Sequence, residues 1–108
     1  MSDHFYHPDD MKRLRKLRDL KPDLFKSFVE FDSKVFEEGE LPVKTKELIA
    51  VGTAHVTQCP YCIDAHTKRA KKAGASEAEI AEAIFVAMAL RAGGSWAHSA
   101  IAMRALEE

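Results

Sequence analysis

The chain has 108 residues, with Lys+Arg 16 against Asp+Glu 17 for a net charge of -1 at pH 7. That length fits one domain built around one core, and the balanced charge argues against a nucleic-acid binder, which needs a basic face. No apolar run reads as long enough to span a bilayer, and Met1-Ser2-Asp3-His4-Phe5-Tyr6-His7-Pro8 lacks the basic-then-apolar order of a signal peptide, so a cytoplasmic protein without membrane contact is expected.

Asp9 to Leu20 has helical spacing, with Met11, Leu14 and Leu17 on one side. Pro22 opens a second helical pattern bearing Phe25, Phe28, Val29 and Phe36, with Gly39 as its stop. A third starts at Pro42 and carries Leu48, Ile49, Val51, Ala54 and Val56. Cys59 is placed as the N-cap of a fourth helix, with Pro60 at the first helical position and Gly74 at the end. Ser76-Glu77-Ala78-Glu79 is a capping box that starts a fifth, whose buried stripe is Ile80, Ala83, Ile84, Ala87 and Met88. Gly93-Gly94 is expected to break it, leaving Ser95 to Leu106 as a last helix.

No run alternates as a half-buried strand. The expectation is a single all-α domain of about six helices whose short connections make neighbours antiparallel. The stretch Ala83-Ile84-Phe85-Val86-Ala87-Met88-Ala89-Leu90 is apolar nearly all round, and such a helix is normally buried on every side. A chain this small has little room for that, so a homo-oligomer is inferred. Trp96 and His98 are assigned to a subunit contact, His98 with the option of approaching the site from another helix.

The two cysteines of the chain fall in Cys59-Pro60-Tyr61-Cys62, and His66 follows. In a reducing compartment such a pair points to redox or metal chemistry rather than to a structural disulfide. A helix start favours the thiolate, because its N–H groups and macrodipole stabilise negative charge. One sulfur can attack and the other resolve. His66 lies at i+4 from Cys62, on the same helix face, where it can take the thiol proton. Glu47 precedes the apolar run Leu48-Ile49-Ala50-Val51, and a carboxylate buried there would suit a proton relay. A surface position beside Lys44 and Lys46 is the competing reading. His55 falls near the same face as Glu47, and a hydrogen-bonded histidine at a helix end is its competing reading.

Glu47 with Cys59-x-x-Cys62-x-x-x-His66 resembles the motif of alkylhydroperoxidase AhpD-like proteins of the carboxymuconolactone decarboxylase superfamily. The resemblance covers roughly residues 22 to 106. It implies residues 1–21 as an N-terminal helical extension and 22–108 as the AhpD-like domain. It further implies an all-α homo-oligomer, a trimer or hexamer. The reaction implied is thiol-dependent reduction of a peroxide, or dithiol–disulfide exchange, renewed by an external lipoyl or thioredoxin-like dithiol. Cys62 is then the attacking thiol, Cys59 the resolving thiol, and Glu47 with His66 the relay, with no cofactor or metal. Some family members carry a histidine where this chain has Tyr61. A phenol is a poor base at neutral pH, so a relay through that position is altered, and His55 is the substitute. The decarboxylase branch lacks the dithiol, which makes lactone decarboxylation the weaker inference.

Three other readings compete. Cys-Pro-Tyr-Cys is also the glutaredoxin motif, but that fold needs strands around the dithiol and a later proline, and the last proline is Pro60. A zinc site could use Cys59, Cys62, His66 and His55, although no second cysteine pair exists to complete it. A non-enzymatic module could dock an acidic partner through Lys68-Arg69-Lys71-Lys72, which reads more simply as a solvated helix face.

Overall fold

The structure, a computed structural model, describes His7 and residues 9–108. Met1 to Tyr6 and Pro8, on which the signal-peptide argument rests, lie outside the described residues. The described residues hold five α-helices and no strand: α1 (Asp10–Leu20), α2 (Pro22–Val35), α3 (Val43–Thr57), α4 (Pro60–Lys72) and α5 (Glu77–Ala105). The all-α expectation holds, and the strands a glutaredoxin needs do not occur among these residues. The chain forms two compact units, Met1–Glu37 and Glu38–Glu108.

In the first unit, Asp10 sits in the opening turn of α1, where the helix dipole favours a negative charge, and is paired with Arg13 at 2.9 Å. Pro22 occupies the first turn of α2, where its missing N–H is harmless. Neither helix contains a buried residue. Their apolar side chains instead line an open groove of about 820 Å³ that includes Leu14, Leu17, Leu24 and Phe28. Helix α2 ends at Val35, before the Gly39 expected to stop it. The N–H of Phe36 closes on Asp32 O at 3.3 Å, so the last turn is capped without a glycine.

In the second unit α3 is the centre, flanked by α4 and α5. Val51, Ala70 and Ala75 are buried together, with Leu48, Ile80 and Ile84 packed against them. Gly52 lets α3 approach α5 closely: a Cβ there would meet Ala83 O at 3.2 Å. Pro42 is the N-cap of α3 with extended backbone rather than its first helical residue. The Ser76–Glu79 capping box forms as expected, with Ser76 N–H on Glu79 at 2.9 Å and Glu79 N–H on Ser76 Oγ at 3.0 Å. Lys44 reaches Glu79 at 3.0 Å and ties the starts of α3 and α5 together.

Two expectations about α5 need correcting. It runs unbroken through Gly93-Gly94 for 29 residues. Neither glycine adopts a positive φ, and the alanine-rich flanks favour helix strongly enough to carry it across. The continuous helix is long and apolar enough, by length and composition alone, to cross a membrane, a length that the division at Gly93 concealed. Nor is the whole expected stripe buried. Ala87 is its one buried residue, whereas Met88, assigned to the buried stripe, and Phe85 at 64% are exposed.

Candidate functional site

The site is assembled where α3 turns into α4. Gln58 ends α3 in the left-handed region at φ 59°, which reverses the chain sharply. Cys59 N–H then closes on Ala54 O at 3.1 Å. Cys59 is extended and serves as the N-cap of α4, its Sγ accepting the Cys62 N–H at 3.2 Å. Pro60 follows in the first turn. Cys59 and Cys62 are joined as a disulfide with their Cα atoms 5.3 Å apart, a span that helix-start geometry supplies without moving the backbone. Both are half-buried. Arg69, Lys71 and Lys72 occupy the last turn of α4, where positive charge complements the dipole, and the open N–H groups at the other end favour negative charge at the cysteines.

Glu47, on α3, is only 4% exposed. Its Oε2 lies 2.7 Å from His66 Nδ1 on α4. A carboxylate this deep needs a partner of that kind, and the contact settles against the surface position beside Lys44 and Lys46. With Glu47 ionised, His66 Nδ1 carries the proton and donates, so Nε2 is the basic nitrogen of the ring. His66 is one turn beyond Cys62 on the same helix face. The arrangement places a dithiol at a positive helix end and a carboxylate-oriented imidazole beside it, the elements of an activated thiol.

His55 is a hydrogen-bonded histidine near the end of α3, with Nδ1 2.7 Å from Val51 O. Tyr61 is exposed between the cysteines. His98 lies on α5, with Nδ1 2.9 Å from Gly94 O. The groove along α3 and α5 is lined by Leu48, Gly52, Val56 and Leu90 among others. Among the described residues no group of three or more His, Cys, Asp or Glu is placed to hold a metal ion. The carboxyl of Glu79, away from the site, is held below its ordinary value by the Ser76 N–H and then by Lys44.

Arg91 was not singled out by sequence reasoning. Its Nη1 donates to Val56 O at 2.8 Å, so α5 holds one of the last carbonyls of α3, next to the turn that presents Cys59. The available signal was a lone cation following the apolar run Ala83 to Leu90.

A model of the carboxymuconolactone decarboxylase family matches residues 22–105. A Paracoccus denitrificans protein described as uncharacterized protein 4 in the cox locus is 48% identical over 82 residues, covering 76% of this chain and 74% of that protein. A solved structure from Methanobacterium thermoautotrophicum superposes with a TM-score of 0.74 at 33% identity, covering 78% of this chain and 94% of the other. The apo form of a carboxymuconolactone decarboxylase family protein from Legionella pneumophila gives a TM-score of 0.72 at 34% identity, covering 85% and 82%.

Proposed function

The chain belongs to the carboxymuconolactone decarboxylase family as an AhpD-like member, and from that premise we propose that it is a thiol-dependent peroxidase acting on an alkyl hydroperoxide. The observation that carries this reading is the 2.7 Å contact between His66 and the buried Glu47, one helical turn from Cys62. In the reduced protein, His66 Nε2 takes the Cys62 thiol proton while Glu47 stabilises the resulting imidazolium. The thiolate attacks the terminal oxygen of the hydroperoxide. The O–O bond breaks, and the departing alkoxide takes a proton from His66 to leave as the alcohol. Cys62 is left as a sulfenic acid. Cys59 then attacks that sulfur through its own thiolate, and the displaced hydroxide takes up the proton that Cys59 released and leaves as water. The disulfide seen between the two cysteines is the product of this step.

An external dithiol of the lipoyl or thioredoxin-like class returns the two electrons by two thiol–disulfide exchanges. A reducing, cytoplasmic setting suits that cycle. The half-buried position of both sulfurs at a helix start also supports dithiol–disulfide exchange with a protein as a second reading, since neither sulfur is enclosed.

The test is hydroperoxide consumption with dihydrolipoamide as reductant. Cys62→Ser should abolish turnover, and Cys59→Ser should stop at a sulfenic acid that dimedone traps. Full rate in Cys62→Ser removes the mechanism. Cys62-dependent reduction of a disulfide without peroxide turnover selects the second reading.

A further inference from the structure

We propose that the outward stripe of α4, from Tyr61 beside the disulfide to Lys72 at the far end, docks the protein that reduces Cys59–Cys62, and that this protein is folded, thioredoxin-like and acidic around its own surface dithiol. The proposal rests on the reading of the pair as a renewable dithiol. It adds where the reductant binds and what charge it carries. Tyr61, Asp64, Lys68 and Lys72 recur at steps of three, four and four residues, so they share one face of the helix. All four are exposed, and Lys71 is exposed beside them. From Tyr61 to Lys72 the stripe runs roughly 17 Å at about 1.5 Å per residue, within the footprint of an ordinary contact of ~800 Å² per partner.

The charge of this stripe is set apart from that of its surroundings. Helix α4 carries Lys68, Arg69, Lys71 and Lys72 against Asp64, a net +3. The rest of the second unit, Glu38–Glu108, holds eight Glu and four Lys/Arg outside α4, a net -4. Those acids do not neutralise the stripe. Lys68 pairs with Asp64 of its own helix at 2.9 Å, whereas Arg69, Lys71 and Lys72 have no carboxylate partner among the described residues. The helix dipole favours positive charge in the last turn. It does not account for Lys68, which precedes that turn and lies on the line that leads to Tyr61.

The disulfide lies at the other end of this line. Its sulfurs are half-buried in the first turn of α4, with Pro60 and Tyr61 exposed between them. A small dithiol needs to reach that turn alone. A protein that reaches it also covers the turns that follow, where it meets the unpaired cations. An acidic face there gains faster encounter and a fixed orientation. A dithiol on a long flexible arm reaches the disulfide from a domain docked elsewhere and needs no cations in line with it. The alignment therefore favours a dithiol held on the partner's own surface. A partner thiolate attacks one sulfur of the pair, which breaks the Cys59–Cys62 bond and forms a mixed disulfide. The partner's second sulfur then displaces the first, so its two electrons and two protons end on Cys59 and Cys62, and the partner leaves as a disulfide.

Reduction of the oxidised full chain, read by alkylating the new thiols and measuring the mass shift, tests this. The probes are an acidic thioredoxin, a dihydrolipoyl domain and uncharged dihydrolipoamide. With the thioredoxin, the second-order rate should fall about tenfold as ionic strength rises from about 0.01 to about 0.15 M, over which the Debye length shortens from about 30 to about 8 Å. Lys71→Glu/Lys72→Glu should lower that rate about tenfold at low ionic strength. Lys12→Glu/Lys16→Glu on α1, with the same change in net charge, should leave it unchanged. Dihydrolipoamide should reduce the wild type and both variants at one rate, which also shows that the variants fold. A thioredoxin rate insensitive to salt and to the α4 variant overturns the proposal and leaves a solvated helix end. An equal loss in the α1 variant overturns it in favour of net charge. Sensitivity of the dihydrolipoyl domain, but not of thioredoxin, to the α4 variant puts the dithiol on an arm and refutes the partner named. If dihydrolipoamide reduces the wild type and thioredoxin does not, the docking proposal alone is lost. If dihydrolipoamide also fails, the redox reading falls and the docking surface with it.

Discussion

Replacing His66 by alanine should destabilise the protein more than any other single change in the site. Glu47, only 4% exposed, would lose the imidazole 2.7 Å away. Removing one member of a buried pair costs about 3–5 kcal/mol because the other charge is left uncompensated. The His66 side chain is 16% exposed, so water reaches the pair and the lower end, about 3 kcal/mol, is the expected loss. Glu47→Gln keeps the shape and a hydrogen-bonding group without the charge, and should cost about 1.5 kcal/mol. In the double variant no charge is stranded, so its loss should fall short of the sum by about 1.5–2 kcal/mol. Urea unfolding followed by far-ultraviolet circular dichroism, at one fixed protein concentration, measures all four corners of the cycle. A cycle that closes to within about 0.5 kcal/mol would mean that the two residues act independently, and the relay would lose its physical basis.

Three further outcomes follow from the second unit. Gly52→Val should force α3 away from α5, because the new Cβ would meet Ala83 O at 3.2 Å; a loss of about 1–3 kcal/mol in urea is expected, whereas Gly52→Ala should be milder. The depressed Glu79 carboxyl contributes stability that is complete above the unfolded carboxylate range and lost as pH falls through the folded value. Below the ordinary 4.5, wild-type stability should therefore drop more steeply with pH than that of Glu79→Gln, and Ser76→Ala should cost about 1 kcal/mol at neutral pH. Gln58→Gly should raise the urea midpoint by the equivalent of about 0.5–1 kcal/mol, since the left-handed φ of 59° penalises any residue with a Cβ.

Local chemistry made the α4 region legible in advance. Cys59 as N-cap, Pro60 in the first turn, the capping box at Ser76 and the αL glycine at Gly74 each depend on a few neighbouring residues, which a sequence displays directly. Gly93-Gly94 misled for the same reason. Two glycines weaken a helix by about 1 kcal/mol each, yet they end it only where the backbone needs a conformation that other residues resist. The depth of Glu47 was not decidable from spacing, because Lys44 and Lys46 make an equally good surface turn until α4 is packed against α3. Arg91 was beyond reach, since its role depends on the C-terminal end of a helix 35 residues away.

The sulfur that caps α4 has a consequence for the reduced protein. In the disulfide, Cys59 Sγ accepts the Cys62 N–H as a neutral divalent sulfur, a weak acceptor. In the proposed cycle the same atom becomes an anion only when Cys59 ionises to attack the oxidised Cys62, and it would then face the same N–H and the positive end of the helix, where such charge-assisted bonds are roughly twice as strong. The stronger cap would therefore be present at the step in which Cys59 acts. In the proposed cycle, the first turn of α4 would then be held in place while Cys59 resolves, without unwinding the helix that holds the pair.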